Sequence, residues 1–463
     1  MGRRVFDVRP LRVPAFTRLW AAGWVTAIGS QLTAVVVPLQ IYGFSGSSAY
    51  VGLASLTGFV PMVLAALYGG AIADAVDRRR MLLVTSAGIG VTSLLLWAQA
   101  AAGLRSVAVL LPIIAVQQAM FGANAAVSGA VVPRLVSPDL LPAANALQST
   151  SVWFAGIGGP LLAGVLMPLA GTRTLFLFDA LAMYPTLWAV ARLPALPPIG
   201  QAGRASRTRG RHVADGFRYL VRHQILLVAY VVDFVTLFFG LPSALFPQIA
   251  HQRFGGPVTG GAVVGALFAA VSAGGVAAAV LAGLFTGSRR PGAMMMMAAL
   301  VWAGAIAGFG VTQSLPAALA LLVVAGGALV ILGVFRKTIL QAAATDHMRG
   351  RMQGMDLVVA AGGPRLASAA HGLAGATLGT VWAVTGGGLL VAASILIVLA
   401  AFPGLARTGL TESVASCAKW GGVPQYARGA YRWYNDAAVH RYRGQRQVAG
   451  GRSRGNGGGV GPP

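Results

Sequence analysis

Long apolar segments separated by short polar connections make up most of this sequence. A helix that crosses a membrane needs about 20 predominantly apolar residues, and each segment reaches about that length. The pattern therefore predicts twelve membrane-spanning helices, numbered here as spans one to twelve. They cover residues 16–42, 50–73, 81–102, 107–132, 140–168, 174–191, 225–250, 258–286, 293–311, 315–341, 353–380 and 382–402.

The composition supports lipid as the solvent of these helices. Hydrophobic residues make up 56% of the 463 positions and charged residues only 10%. A soluble protein of this length could not keep so much apolar surface out of water. We therefore expect an all-α, multi-pass membrane protein, in which the 63 glycines allow helices to approach closely.

The positive charges are distributed unevenly between the two sides of the predicted bundle. The chain carries 35 Lys and Arg against 11 Asp and Glu. If the amino terminus is cytoplasmic, Arg105, Arg173 and Arg253 fall on the outer side, and nearly all other basic residues fall on the inner side. We expect both termini to be cytoplasmic, in the inner or plasma membrane of the cell, with the arginines facing an anionic inner leaflet. This distribution accounts for the net charge of +24, so no nucleic-acid partner is expected.

Two polar segments divide the chain into predicted domains. Residues 192–222 form a Pro-rich and then basic cytoplasmic linker between six-helix units at 1–191 and 223–403. Residues 404–463 form a basic cytoplasmic tail that ends in a Gly-rich low-complexity run, and we expect it to be disordered. A solvated tail is the simpler interpretation, while contact with anionic lipid or RNA is the alternative.

Residue types that would indicate an enzyme or a metal site are sparse. The single Cys417 excludes an intrachain disulfide and a multi-cysteine metal site. The six histidines form no H-E-x-x-H motif, and no paired catalytic carboxylates stand out. We expect no cofactor, no metal and no enzymatic activity.

The connection between spans two and three has a distinctive order of residue types. A glycine is followed four residues later by an acid and then by a cluster of arginines. These residues are Gly70, Asp74, Asp77, Arg78, Arg79 and Arg80. The order resembles the signature loop of the major facilitator superfamily, although Ala75 replaces the usual basic residue and Asp77 the usual glycine. The resemblance implies that this loop is a conformational latch on the cytoplasmic side.

The resemblance to the major facilitator superfamily covers nearly the whole chain up to about residue 403. Segments 37–41, 51–53, 216–220 and 349–354 are similar to the branch that includes the enterobactin exporter. The family implies two six-helix bundles, a cavity near the midplane and a rocking of the bundles about that cavity. The expected protein is a major facilitator transporter, most simply a monomer.

A second motif indicates the direction of transport. Span five contains closely spaced glycines around a proline, at Gly156, Gly159, Pro160 and Gly164. The proline removes a backbone donor and the glycines give a small, bendable face. This resembles the motif in helix five of drug and proton antiporters, which favours export. Glycine and proline without this role are the alternative, since both are common in membrane helices.

Ionisable residues within spans are the candidates for coupling transport to protons, because each costs at least about 2.5–3.5 kcal/mol in the bilayer. Asp233 lies in the middle of span seven, with Tyr230 and Thr236 on its face, and is either a proton carrier or part of a structural pair. Asp179 lies in span six, which in this superfamily flanks lipid, so a packing role is favoured over coupling. Arg365 in span eleven would neutralise an aspartate or an anionic substrate.

Polar stripes on two spans should not face lipid, because hydroxyl and amide groups in contact with hydrocarbon are costly. In the superfamily that the chain resembles, spans one and four line the cavity together with spans seven and ten. The resemblance therefore implies that these stripes, with Tyr230 and Thr236 of span seven, form part of the cavity wall. Span ten, by contrast, is almost wholly apolar from residue 319 to residue 334. The predicted cavity is therefore polar on one wall and apolar on the other, which suits an amphipathic cargo. The stripes consist of Thr26, Ser30, Thr33 and Gln40 in span one and Gln117, Asn124 and Ser128 in span four.

These features together predict a secondary active transporter. It would export a small amphipathic molecule, siderophore-like or drug-like, by exchange with protons. Proton-coupled uptake of a small-molecule nutrient remains the alternative, since the sequence does not fix the direction of flux.

Overall fold

A computed structural model describes residues 8–137, 139–197, 224–257, 261–281, 290–343 and 346–402. In this part of the chain all regular structure is helical, and two short 3₁₀ helices lie at Arg9–Arg12 and Ser243–Leu245. Most of the predicted linker and the predicted tail at 404–463 lie outside the described residues. The α-helices are α1 (Pro14–Ser45), α2 (Ser48–Ala75), α3 (Arg78–Ala101), α4 (Val107–Leu135), α5 (Leu141–Ala191), α6 (Gln224–Gly240), α7 (Phe246–Gln252), α8 (Ala262–Val280), α9 (Pro291–Val311), α10 (Leu315–Ala343), α11 (Asp346–Thr377) and α12 (Thr380–Ala401).

Ten segments of the described chain are long and apolar enough to cross a membrane. One of these segments holds two predicted spans, because α5 has 51 residues. At about 1.5 Å per residue it would be more than twice as long as a bilayer core is thick. The 32-residue α11, which carries span eleven, adds a further crossing. The described part of the chain thus contains the twelve membrane crossings that the sequence predicts.

The long helix α5 reverses direction at Gly171. This residue has φ 73° and ψ 168°, a conformation that is not helical and that glycine adopts without strain. Gly159 before it packs against Gln31 of α1, and Asp179 after it packs against Gly29 of the same helix. Two positions on either side of Gly171 therefore meet α1 at the same depth, so the chain forms a hairpin of spans five and six.

Span seven is broken, whereas the sequence pattern predicts one continuous helix at 225–250. Helix α6 ends at Gly240, a 3₁₀ turn follows Pro242, and α7 then continues to Gln252. Proline has no backbone N–H and its ring clashes with the preceding turn, which ends the first helix. Gly240 also lies against the indole nitrogen of Trp302, a side chain that is fully buried in α9. The span predicted at 225–250 is therefore present at Leu226–Gln252, with a break that the sequence pattern did not indicate.

The helices form two bundles that meet along two seams. Helices α1 to α5 pack on one another in the first bundle, and α6 to α12 pack on one another in the second. The bundles touch each other mainly where α2 packs on α11 and where α5 packs on α8. We call the side at which α1 begins and α2 ends the amino-terminal face, and the other side the opposite face.

Glycines determine how closely helices approach within the second bundle. A Cβ atom at Gly326 of α10 would overlap the carbonyl oxygen of Val271 in α8, and one at Gly274 of α8 would overlap the carbonyl of Val323. The two helices therefore touch backbone to backbone at this crossing. Close approach through small residues is the usual way in which helices associate in lipid, where no hydrophobic force holds them together.

We predict that Gly326→Ala destabilises the protein, because the added methyl group collides with backbone that has no rotamer to change. The expected cost is about 1–3 kcal/mol. Gly333→Ala is the matched control on the same helix, since a Cβ there meets nothing within 4 Å. The measurement is the apparent melting temperature of the two purified variants in one detergent. Equal melting temperatures for the two variants would contradict the backbone contact.

Candidate functional site

A cavity of about 360 Å³ lies inside the first bundle and reaches the second. Its wall comes from α1, α2, α3, α4 and the second part of α5, and α11 contributes one side chain. One part of the wall is polar and another is apolar. The polar residues are Ser30, Gln31, Thr33, Ser55, Gln117, Gln118, Asp179 and Arg365, and the larger apolar ones are Val37, Ile41, Val51, Ile89, Ile114 and Phe121.

Asp179 is the centre of a hydrogen-bond network in the polar part of this wall. Its Oδ2 atom accepts from the hydroxyl of Thr33 at 2.9 Å and from that of Ser93 at 2.8 Å. The amide of Gln117 in turn donates to the Ser93 hydroxyl at 3.1 Å. Among the described residues, Asp179 has no ion-pair partner. The network thus joins three helices and the second part of α5 around a carboxyl group that only neutral donors contact.

The position of Asp179 differs from the one that the sequence favoured. The family resemblance put span six against lipid, with packing as the favoured role of this residue. In the structure Asp179 is only 2% exposed and lines the cavity. The physical reason lies in α1, where Gly29 has no side chain, so that the carboxyl group fits close to the helix backbone.

Arg365 connects the two bundles at the cavity. Its Nη2 atom donates to Oε1 of Gln118 at 2.7 Å. Arg365 belongs to α11 in the second bundle and Gln118 to α4 in the first, so this bond spans the interface between the bundles. Both side chains line the cavity, so this hydrogen bond between the bundles is part of the cavity wall.

Asp233 forms a buried ion pair, with a partner that the sequence pattern did not identify. Nη1 of Arg336 lies 2.9 Å from Oδ2 of Asp233, and the two side chains are each 5% exposed. The guanidinium carbon of Arg336 lies 5.7 Å from the centre of the Tyr230 ring. Arg336 lies inside α10, so it belongs to the buried part of span ten and not to a basic loop.

A depth argument would have found the partner of Asp233. Asp233 lies about 14 Å from the start of α6, and Arg336 about 11 Å from the end of α10, at 1.5 Å per residue. Both helix ends lie on the amino-terminal face, so the two groups are at similar depth. The matching depths of Asp233 and Arg336 could therefore have indicated the pair from the sequence. Arg336 was overlooked because the residues before it in span ten are almost all apolar.

The other predicted cavity residues lie outside the lining of this cavity. Thr26 donates to the carbonyl of Ala182 at 2.9 Å, and Thr236 donates to its own helix at Val232. Gln99 donates to Gln40 at 3.2 Å. Thr26, Gln40 and Thr236 therefore have hydrogen-bond partners between or within helices, away from the cavity.

Asn124 and Ser128 of the span-four stripe also serve contacts between and within helices. The amide of Asn124 donates to Thr85 at 2.9 Å and to Ser86 at 3.0 Å, and its oxygen accepts from Ser128 at 3.1 Å. Of the two predicted stripes, Ser30, Thr33 and Gln117 line the cavity. The structure thus brings part of each stripe to one site.

The glycines and proline of the span-five motif lie on the seam with α8. A Cβ at Gly164 would lie 2.9 Å from Cα of Gly265, and the carbonyl of Pro160 faces the same glycine. Gly156 approaches Ser272 of α8 in the same way, and Gly159 is covered by Gln31 of α1. This motif is therefore where the first bundle touches the second along α5.

The second seam closes the opposite face between α2 and α11. The hydroxyl of Ser48 donates to the carbonyl of Gly372 at 2.9 Å. A Cβ at Gly52 would lie 2.7 Å from the carbonyl of Ser368. Ser48 and Gly52 stand at the start of α2 and Gly372 near the end of α11, so these contacts lie toward the opposite face.

The arginines of the opposite face are held by aromatic rings and carbonyl groups. The guanidinium carbon of Arg105 lies 5.7 Å from the centre of the Phe44 ring. Arg253, just beyond α7, donates to the carbonyls of Phe309 and Thr312 at 3.0 and 3.3 Å. Desolvation lowers the pKa of Arg253 below its usual value.

The loop between α2 and α3 uses Asp77 to begin a helix. The carboxylate of Asp77 accepts from the backbone N–H of Arg79 at 2.8 Å and caps α3. This explains an acid where the superfamily usually has a glycine. The guanidinium of Arg79 donates to the carbonyl of Ala191, which ties the loop to the end of α5. Arg78 and Arg80 lie in the first turn of α3. Gly70 and Asp74 lie near the end of α2, and the surroundings of these two positions are outside the described part of the structure.

Two membrane-spanning helical bundles with a partly polar cavity between their helices are typical of transporters of the major facilitator fold. The chain belongs to this superfamily, in the family described as transmembrane secretion effectors, whose model matches residues 7–418. Among curated relatives, the enterobactin exporter of Shigella dysenteriae serotype 1 is 26% identical over 392 residues, which is 83% of this chain and 92% of the relative. That of Citrobacter koseri is 27% identical over 391 residues, with the same coverage of 83% and 92%.

Solved structures with the same fold are more distant in sequence. The nucleoside transporter NupG has a TM-score of 0.68 at 11% identity and covers 84% of this chain and 98% of its own. The D-xylose–proton symporter has a TM-score of 0.66 at 11% identity, covering 83% and 97%. An inward-facing bacterial homologue of the lysosomal transporter Spinster has a TM-score of 0.61 at 15% identity, covering 88% and 98%. At these identities the likeness shows the fold alone.

We predict that Arg336→Leu destabilises the protein by about 3–5 kcal/mol, because it leaves the Asp233 carboxyl group buried without its cation. The double variant Asp233→Leu/Arg336→Leu should recover most of this loss, since it removes both charges together. Apparent melting temperatures in detergent measure both effects. A double variant no more stable than Arg336→Leu would show that the loss comes from packing and not from the unpaired acid.

Proposed function

We propose that this protein exports a small amphipathic molecule across the cell membrane in exchange for protons. The observation that carries the proposal is the cavity with both a polar and an apolar wall, which contains Asp179 and Arg365 and lies where two bundles meet. Such a cavity receives the apolar body and the polar groups of one molecule. A siderophore-like or drug-like compound has this character.

The names of the relatives support export as the direction. Curated relatives that align with 83% of the chain are named as enterobactin exporters. The family model describes secretion effectors. The glycines and proline of α5 add support, because they form one of the two seams at which the bundles move relative to each other.

The proposed orientation puts the amino-terminal face in the cytoplasm. The loop between α2 and α3 carries Arg78, Arg79 and Arg80 on this face, whereas the opposite face carries isolated arginines such as Arg105. Retention of basic loops in the cytoplasm supports this assignment. In this orientation the contacts of Ser48 and Gly52 with α11 close the outer side.

Asp179 is the proposed proton-coupling group. It lines the cavity, and the described residues that contact its carboxylate are the hydroxyls of Thr33 and Ser93. Neutral hydroxyls favour the ionised acid less strongly than a permanent cation would, and a hydroxyl can also accept a hydrogen bond from the protonated acid. Its protonation therefore responds to whether the cavity is open to water. Asp233 stays a second coupling prediction from the sequence, although its ion pair with Arg336 favours a structural role.

The test begins with cells that lack the gene and cells that express the wild type, Asp179→Asn or the double variant Asp233→Leu/Arg336→Leu, which removes both charges of the buried pair together. Mass spectrometry of cell extracts identifies compounds that accumulate without the protein and fall when the wild type is present. We expect Asp179→Asn to retain these compounds as the empty strain does, and the double variant to lower them. Asp139→Asn is the matched control, because Asp139 is an exposed carboxylate in the loop between α4 and α5.

Inside-out vesicles then establish direction and coupling for the identified compound. An acidic lumen should drive the compound into wild-type vesicles, because protons leave the lumen as cargo enters it. A protonophore should abolish this accumulation. Movement of the compound out of the vesicles would instead support proton-coupled uptake. Wild-type accumulation that continues without a pH gradient would exclude proton antiport.

We also predict that a disulfide across the outer seam stops transport. The position of a Cβ at Gly375 lies 3.2 Å from the Ser48 hydroxyl, so Ser48→Cys/Gly375→Cys should form a bridge after a small shift of Leu245. Cys417→Ser is included to remove the native thiol. Oxidation should block export and a reductant should restore it, while Ser48→Cys alone should respond to neither. Export by the cross-linked protein would contradict opening at this face.

A further inference from the structure

The two bundles contribute unequally to the cavity. Of the described residues that form its wall, Arg365 is the one that comes from the second bundle. All others stand on α1 to α5. Among the described residues, a molecule in this cavity therefore contacts the first bundle on most sides and the second bundle through the guanidinium group of Arg365.

The hydrogen bond between Arg365 and Gln118 is one that an anion can replace. The Nη2 atom of Arg365 donates to the neutral amide oxygen of Gln118 at 2.7 Å. A guanidinium carries five N–H donors in a planar fork. Carboxylates match this fork with two parallel bonds, and hydrogen bonds to ionised acceptors are roughly twice as strong as those between neutral groups.

We propose that the cargo is an amphipathic organic anion whose acidic group binds Arg365 in place of Gln118. This inference rests on the proposed function and specifies its substrate class. The exchange breaks a hydrogen bond between the bundles as the cavity fills. Binding of cargo among the helices of the first bundle thereby changes a contact of α11. The same helix forms the outer seam through Ser368 and Gly372.

The rest of the wall narrows the class of cargo further. Val37, Ile114 and Phe121 offer an apolar surface for the body of the molecule. Asp179 lines the same cavity, so a second anionic group on the cargo would face a carboxylate whenever Asp179 is ionised. The geometry therefore favours a single acidic group on an apolar or aromatic body over a polyanion.

Binding of three matched naphthalene probes to the purified full-length protein in nanodiscs tests this proposal. The probes are 1-naphthoate, neutral 1-naphthamide and cationic 1-naphthylmethylammonium, which share one apolar body. Isothermal titration should give the carboxylate about tenfold or more tighter binding than the amide, as expected for a charge-assisted hydrogen bond. Arg365→Gln should remove this preference, and Arg365→Lys should keep part of it, because lysine retains the charge without the fork.

Two further variants show whether the preference for the carboxylate arises at Arg365 itself. Arg105→Gln removes a positive charge from the opposite face and should keep the full preference for the carboxylate. Gln118→Leu removes the competing acceptor and should bind 1-naphthoate at least as tightly as the wild type. Equal binding of carboxylate and amide by the wild type, or an unchanged preference in Arg365→Gln, would overturn the proposal. So would weaker carboxylate binding in Gln118→Leu, because Gln118 would then be a ligand and not a competitor.

The outcome is independent of whether the protein is an exporter. An Arg365-dependent preference for the carboxylate in a protein that moves no cargo outward would retain the anion site and reject the proposed function. Proton-driven export by a protein without this preference would retain the proposed function and reject the anion site.

Discussion

Polar groups inside hydrocarbon must find partners within the protein, and this constraint organises both bundles. Asp179 is held by the hydroxyls of Thr33 and Ser93, and Asp233 by Arg336. The two solutions differ physically. A carboxylate paired with a guanidinium is fixed in its charge, because neutralising either group leaves the other as an uncompensated buried ion. A carboxyl group among hydroxyls can change its charge and still keep its hydrogen bonds, since a hydroxyl both donates and accepts.

This difference supports separate tasks for the two acids in the proposed exchange of cargo for protons. The pair of Asp233 and Arg336 joins α6 to α10 and stabilises the second bundle as a unit. Asp179 stands in a cavity wall, where access to water changes as the bundles move. A coupling group has to change its charge during the cycle, and a structural pair must not. The contacts therefore favour Asp179 as the coupling group, although the sequence pattern favoured a packing role for it and put Asp233 in the middle of span seven.

Much of the fold follows from the sequence because hydrophobic length reports membrane crossings directly. The twelve spans, the reversal between spans five and six and the close helix contacts all rest on apolar runs and glycines. The break at Gly240 and Pro242 was missed because the run stays apolar across it. The sequence also showed which polar residues are buried, but not which of them share a cavity. Thr26 and Thr33 occupy one predicted stripe, yet one bonds to Ala182 and the other to Asp179.

The seams between the bundles combine close contact with weak attachment. At the seam on the opposite face, Gly52 and Gly372 bring α2 and α11 together almost backbone to backbone, and the Ser48 hydroxyl donates to the carbonyl of Gly372. Side chains that interdigitate would have to change rotamers before the helices separate, whereas flat glycine surfaces part without that barrier. Dispersion forces between closely packed backbones still hold the seam when it is closed. A transporter that must open and close this face repeatedly needs such a contact, so the glycines that pack the two helices together also make the motion possible.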